Sequence, residues 1–121
     1  MSTKDASGHT VLQQAPGLTR TDLQREDLSV AGWGVVQSRV EISPEAAAVK
    51  HTHPGEEVIY VLGGELEYRV DGQPARTYRA GDALTVPAGA VHSVRNVGSG
   101  TAAELATYPF EKGKPLLTVV E

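Results

Sequence analysis

The sequence predicts an all-β domain, a barrel or sandwich of short antiparallel strands. Three observations carry this reading. Apolar and polar residues alternate with period two over 36–42 and again over 65–70, as they do in strands with one buried face. Gly, Pro and Asp recur at close spacing between the apolar runs, which marks turns between many short strands. Beyond residue 34 no stretch shows the 3.6-residue apolar period of an amphipathic helix.

Taken in chain order, residues 1–10 are small and polar and are expected to fray. Residues 11–34 are mixed. Thr19, Thr21 and Asp22 are possible caps, and they allow a short helical turn within 18–28. Together 1–34 read as a partly flexible N-terminal arm, and 35–121 as the barrel domain. In that domain the strand candidates are 36–42, 58–62, 65–70, 76–78, 83–86, 92–97, 102–108 and 116–120. Ser43-Pro44 breaks the first of these, and Asp71-Gly72 is a hairpin turn after the third.

Bulk properties narrow the function. A chain of 121 residues suits one domain. The net charge is -4, and the cations are dispersed without a basic stripe, which argues against nucleic acid as a partner. The absence of cysteine excludes disulfides, thiolate metal sites and a cysteine nucleophile. The first ten residues contain no apolar core of a secretory signal, and no apolar run approaches the ~18 residues of a membrane helix. A soluble cytoplasmic protein with no membrane partner is the expectation.

Three of the four histidines lie in two Gly- and Pro-rich segments. In His51-Thr52-His53-Pro54-Gly55-Glu56-Glu57, the two histidines of an extended backbone point to one face. Glu57 follows His53 at even separation, so its carboxylate can return to that face if the bend at Pro54-Gly55 keeps parity. His92 arrives from a remote strand candidate, after a loop bracketed by Pro87 and Gly89. Three imidazoles and a carboxylate suit one divalent first-row metal, with Fe, Mn, Ni, Co, Cu and Zn all admissible. Two surface histidines in a turn would be the plain reading of H-x-H alone. Glu57 and the second spaced segment count against it.

These two segments resemble the paired motifs of the cupin superfamily. The first cupin motif reads H-x-H, three or four residues, E, six residues, G; here it is His51, His53, Glu57 and Gly64. The second reads G, five residues, P-x-G, two residues, H, three residues, N; here it is Gly81, Pro87, Gly89, His92 and Asn96. The resemblance spans residues 35–121 and implies a small jelly-roll barrel with a metal in its wider mouth. It makes His51, His53, Glu57 and His92 the metal ligands, with Glu57 also a catalytic base. It makes Gly64, Gly81, Pro87 and Gly89 turn residues, and gives Asn96 a structural hydrogen-bonding role.

The function so implied is a metal-dependent enzyme of dioxygenase type, similar to flavonol-cleaving cupins. Its substrate would be a small, largely apolar or aromatic oxygen-containing molecule. A non-redox cyclase, isomerase or lyase, or a non-catalytic small-molecule-binding cupin, are the alternatives. Parity places Val49, Ile59, Val61 and Val94 around the site as an apolar lining. It directs Lys50 and Arg95 to solvent and Tyr68 into the core. Glu104 and Tyr108 share one face of a late strand, where either could support the ligands, although an exposed Glu104 is the expectation. Arg39, Arg76 and Arg79 are left as cations able to reach over the rim. A homodimer is expected, because segment 11–34 carries alternating apolar residues without an obvious partner.

Overall fold

A computed structural model describes residues 2–121, and among them every regular element is a strand. The twelve strands are β1 (Ser2–Lys4), β2 (Thr10–Ala15), β3 (Leu18–Asp27), β4 (Trp33–Ile42), β5 (His51–Thr52), β6 (Glu57–Gly63), β7 (Glu65–Val70), β8 (Arg76–Arg79), β9 (Ala83–Val86), β10 (His92–Asn96), β11 (Ala102–Glu111) and β12 (Thr118–Val119). All eight strand candidates from the alternation are present. They form two antiparallel sheets, ordered β1-β2-β3-β4-β11-β6-β9 and β12-β5-β10-β7-β8, in a jelly-roll arrangement.

The short helical turn expected within 18–28 is not formed, and the segment is the ten-residue strand β3. Leu18, Arg20 and Asp22 stand opposite Ile42, Val40 and Ser38 of β4. A continuous ladder against an established strand outweighs the weak local preference of three capping residues. The expected fraying of 1–10 includes Met1, which lies outside the described residues, and the rest of the segment is held by pairing. Ser2, Thr3 and Lys4 pair with Leu12, Val11 and Thr10, so backbone hydrogen bonds tie this exposed segment down.

The core lies between the sheets and follows the pleat. On β4 the buried positions alternate as Val36, Ser38, Val40 and Ile42, and on β11 as Ala102, Glu104, Ala106 and Tyr108. Ile59 and Val61 of β6 and Leu66 and Tyr68 of β7 close the interior. Each fully buried Val, Leu or Ile contributes about 1.5–3 kcal/mol. This row therefore holds a polar Glu104 in place against considerable apolar packing.

Two glycines are dictated by close approach. A Cβ on Gly64 would sit 2.7 Å from the Ala102 Cβ, and its φ of +79° already favours glycine at the β6–β7 turn. A Cβ on Gly55 would lie 2.2 Å from the Pro109 carbonyl oxygen. The bend between His53 and Glu57 thus runs directly against β11. Asn96 has its expected structural role. Its amide donates to the carbonyls of Ile42 at 2.8 Å and Gly100 at 2.7 Å, and its oxygen accepts from the Gly98 N–H at 2.8 Å. It stitches β10 of one sheet to β4 of the other.

Candidate metal centre

The four sequence-selected residues meet. One ligand atom each from His51, His53, Glu57 and His92 lies within 4.8 Å of the others. The ladder explains why. His92 on β10 stands directly opposite His51 on β5, and their ring centroids are 4.2 Å apart. His53 follows two residues on, with centroids 5.0 Å from His51 and 5.1 Å from His92. Glu57 enters from the first residue of β6 in the facing sheet, so the centre bridges the two sheets.

The imidazoles are prepared as ligands. Every Nδ1 points at a backbone carbonyl: His51 at Val49 (2.8 Å), His53 at Leu116 (2.7 Å) and His92 at Ala90 (3.0 Å). A carbonyl only accepts, so each Nδ1 carries a hydrogen, and in the neutral ring Nε2 is a lone pair turned inward. A carboxylate oxygen lies against these Nε2 atoms, and in the metal-free chain the protonated His92 ring donates to it through Nε2. Glu57 Oε1 is 3.1 Å from His92 Nε2 and 3.3 Å from His53 Nε2. The His53 approach lacks hydrogen-bond alignment, and His53 Nε2 is buried without a partner. Acceptors converging on one point, one of them orphaned, fit a cation between them. This cluster could hold one metal ion.

The electrostatics agree with that geometry. Burial alone would raise the Glu57 carboxyl, but the His53 and His92 rings outweigh it and hold it down at about 2. Burial lowers His51, with the neighbouring imidazoles adding to the effect. His92 also feels burial, yet its contact with Glu57 and the Ala90 carbonyl raise it.

Around the four lies a polar shell that the sequence reading had not assembled. Tyr108 Oη donates to Glu57 Oε2 at 3.0 Å. Tyr68 Oη donates to Glu104 Oε1. The expectation that Glu104 is exposed is wrong: it is 2 % exposed. Burial, the Glu57 charge and a hydrogen bond with Glu57 push its carboxyl well above the usual range, against the Tyr68 hydroxyl, which lowers it. Two buried carboxyls side by side disfavour double ionisation, and burial with the Glu57 charge favours the protonated form of Glu104. The signal was in the sequence. Glu104 shares parity with Ala102, Ala106 and Tyr108, an otherwise inward-facing row.

The centre opens into a cavity of about 350 Å³. Val49 and Val94 line it as expected, whereas Ile59 and Val61 belong to the sealed core behind Glu57. Tyr68, assigned to the core, is buried there and also reaches the cavity wall. Lys50 and Arg95 are exposed as foreseen. Arg39 and Arg79 pair with Glu41 and Glu65, and Arg76 lies over the Tyr78 ring. The lining is not apolar throughout: Arg20 lines the cavity together with Gln14. Both come from the segment read as an arm, whose strand character the mixed pattern concealed.

Residues 38–108, more than half of the chain, match the cupin domain family, and the chain belongs to it. It is similar to germin-like protein 1 of Brassica napus, with 30% identity over 74% of this chain and 45% of that protein. The chain spans less than half the length of that relative. In fold it resembles a conserved Klebsiella pneumoniae protein with a double-stranded β-helix domain, with a TM-score of 0.71, 19% identity, and 92% and 90% of the two chains covered. It also resembles Bacillus subtilis oxalate decarboxylase, a protein with Mn(II) centres, with a TM-score of 0.67, 23% identity, and 88% and 29% covered. Among the described residues no helix is long and apolar enough to cross a membrane.

Proposed function

We propose that this cupin is a metal-dependent enzyme acting on a small oxygen-donor molecule. His51, His53, Glu57 and His92 would be the ligands of one divalent ion. The observation that carries the proposal is the clustering of three imidazoles, each fixed by a carbonyl on Nδ1, with two Nε2 atoms against one Glu57 oxygen in the wall of a cavity. When bound, a first-row ion supplies Lewis-acid polarisation of a substrate oxygen, and a redox-active one also supplies one-electron chemistry. The chain's own residues do the remainder. Tyr108 holds the Glu57 carboxylate in orientation, the apolar walls at Val40, Ile42 and Val94 exclude water, and Glu104 stores a proton beside Glu57.

Oxygenation of the dioxygenase type is the first reading of the reaction. A non-redox lyase or isomerase is the second, and the Glu57–Glu104 pair favours it. A neutral carboxyl beside an ionised one is a proton donor and a proton acceptor in one place. Metal analysis of protein purified without added metal, followed by oxygen-electrode and product measurements, tests the proposal. One ion per chain is the expected result, and oxygen uptake decides between the two reactions. Absence of metal both as purified and after titration would overturn the proposal.

We also propose a homodimer. Its support is the outer face of β6, where Val58, Tyr60 and Leu62 are 46 %, 48 % and 45 % exposed.

A further inference from the structure

We propose that Arg20 sets the specificity of the cavity: its guanidinium takes a carboxylate of the substrate, so the substrates are small carboxylic acids that carry a second oxygen donor for the metal centre. This inference rests on the metal-centre reading above.

The β3–β4 ladder places Arg20 in the cavity wall. Leu18, Arg20 and Asp22 share one face of β3, and Leu18 and Arg20 line the same cavity as the four candidate ligands. Arg20 stands opposite Val40, and Val40 opposite Glu104. At a strand spacing of about 4.8 Å, the Arg20 backbone is roughly 10 Å across the sheet from that of Glu104. A long side chain on that row can face the metal centre over a short apolar gap.

The guanidinium is ion-paired with Asp22 through Nε alone. Its Nε donates to Asp22 Oδ1 at 3.0 Å, and Ser38 Oγ donates to the same oxygen at 2.7 Å. Among the described residues this is the one hydrogen bond of the Arg20 side chain. Of five donors, one is spent on holding the group still, and the two terminal nitrogens keep theirs. Their planar fork matches a carboxylate in bidentate fashion. The Arg20 and Asp22 side chains are 14% and 19% exposed, so solvent screens an anion there only weakly.

Charge selects the ligand. Arg20 is the one Lys or Arg side chain among the residues lining the cavity. Gln14, at the β2 bulge where the pairing with β3 shifts, adds an amide to the same wall. Val40, Ile42 and Val94 supply the apolar middle. The complementary molecule has a carboxylate at one end, a short hydrocarbon or carbonyl-bearing middle, and an oxygen donor at the other.

The test uses the full chain loaded with Mn(II), and also the metal-free chain. Calorimetry would compare pyruvate, α-ketoisovalerate and succinate, each against its primary amide, on wild type, Arg20→Gln and Arg20→Lys. The acids should bind wild type better than the amides. Arg20→Gln should weaken the acids by roughly tenfold to a hundredfold, the worth of a charged hydrogen bond, and leave amide affinity and Mn(II) content unchanged. Arg20→Lys should recover part of the loss. Asp22→Asn, which breaks the pair but keeps the guanidinium, should retain acid binding. It keeps the inference testable where Arg20→Gln does not fold. Acids bound equally by Arg20→Gln, acids bound no better than amides, no acid bound at all, or acid binding lost in Asp22→Asn would each overturn it. The metal-free chain separates the two readings. Arg20-dependent acid binding in a chain that takes up no metal defeats the metal centre alone. Normal metal uptake with acid binding indifferent to Arg20 defeats this inference alone.

Discussion

Tyr108 donates a 3.0 Å hydrogen bond to Oε2 of Glu57, the carboxylate oxygen turned away from the histidines. The bond fixes which oxygen faces the centre, since Oε1 is then the one that lies 3.1 Å from His92 Nε2. Groups that orient a ligand are worth about 10–100-fold in metal affinity. Tyr108→Phe should therefore bind Mn(II) or Zn(II) about 10–100-fold more weakly while remaining folded. Competition with a chelator of known affinity measures this. Unchanged affinity would show that β6 alone positions Glu57.

The four candidate ligands were legible because their spacing is local. His51, His53 and Glu57 keep parity through a bend, and His92 follows a Pro-Gly loop of fixed length. The strands were legible for the same reason, as period two survives wherever one face is buried. The shell around the centre was not. Tyr68 and Glu104 are 36 residues apart, and Tyr108 and Glu57 are 51 apart. Their meeting depends on β11 lying beside β6 in one sheet while β7 faces them from the other. Arg20 was hidden differently. Register shifts at Gln13/Ala15 and Asp22/Gln24 interrupt the alternation that would have marked β2 and β3.

Glu104 should tolerate glutamine but not alanine. A protonated carboxyl and an amide both offer one acceptor to Tyr68 and one donor to Glu57. Glu104→Gln should thus stay within about 1 kcal/mol of wild type, judged by the modest net worth of a single hydrogen bond. Glu104→Ala leaves the buried Tyr68 hydroxyl without its partner, at a cost of about 1–3 kcal/mol. Urea unfolding of the metal-free proteins measures both. Greater damage from glutamine than from alanine would mean that Glu104 is ionised in the fold.

Among the imidazoles, His92 brings in the remote strand β10, and His92→Ala should lose most bound metal. Full occupancy in that variant would refute the ligand assignment. Acid should have the same effect. Protonation blocks an imidazole lone pair, and the Glu57 contact raises His92, which favours its protonation as pH falls. Metal retention should be complete near pH 7.5 and mostly lost below about pH 6, given an ordinary imidazole value near 6.5. Retention that stays flat to about pH 4.5 would contradict a three-histidine site.

The metal-free chain should show a different pH dependence from the loaded one. Glu57 is held at about 2 against an ordinary 4.5, so it contributes stability above 4.5 that is lost as pH falls from there toward 2. His92 is raised, so its contribution is full below the ordinary imidazole value and fades as pH climbs through its folded value. The His92–Glu57 contact therefore favours the metal-free fold most in the mildly acidic range. A bound metal instead favours the neutral range, where the imidazoles are free to ligate. Melting temperatures from about pH 4 to about pH 8, with and without Mn(II), should separate progressively as pH rises. Parallel curves would show that metal and protons do not compete at this site.

The proposed homodimer has a different support from the one the sequence suggested. Segment 11–34 is already partnered, because β2 and β3 extend the chain's own seven-stranded sheet. The unsatisfied surface is the outer face of β6. There Tyr60 stands opposite Leu105 on one side and Ala83 on the other, flanked by Val58 and Leu62. An aliphatic and aromatic cluster on the outer sheet face, next to the edge strand β9 and nearly half exposed, is the kind of patch that marks an association surface. Light scattering at micromolar concentration should give twice the chain mass of 12.8 kDa. Tyr60→Glu, which places a charge at the centre of the patch and far from the interior, should give the monomer with metal binding intact. A wild-type monomer would refute the dimer, and a dimer that survives Tyr60→Glu would move its interface to another face.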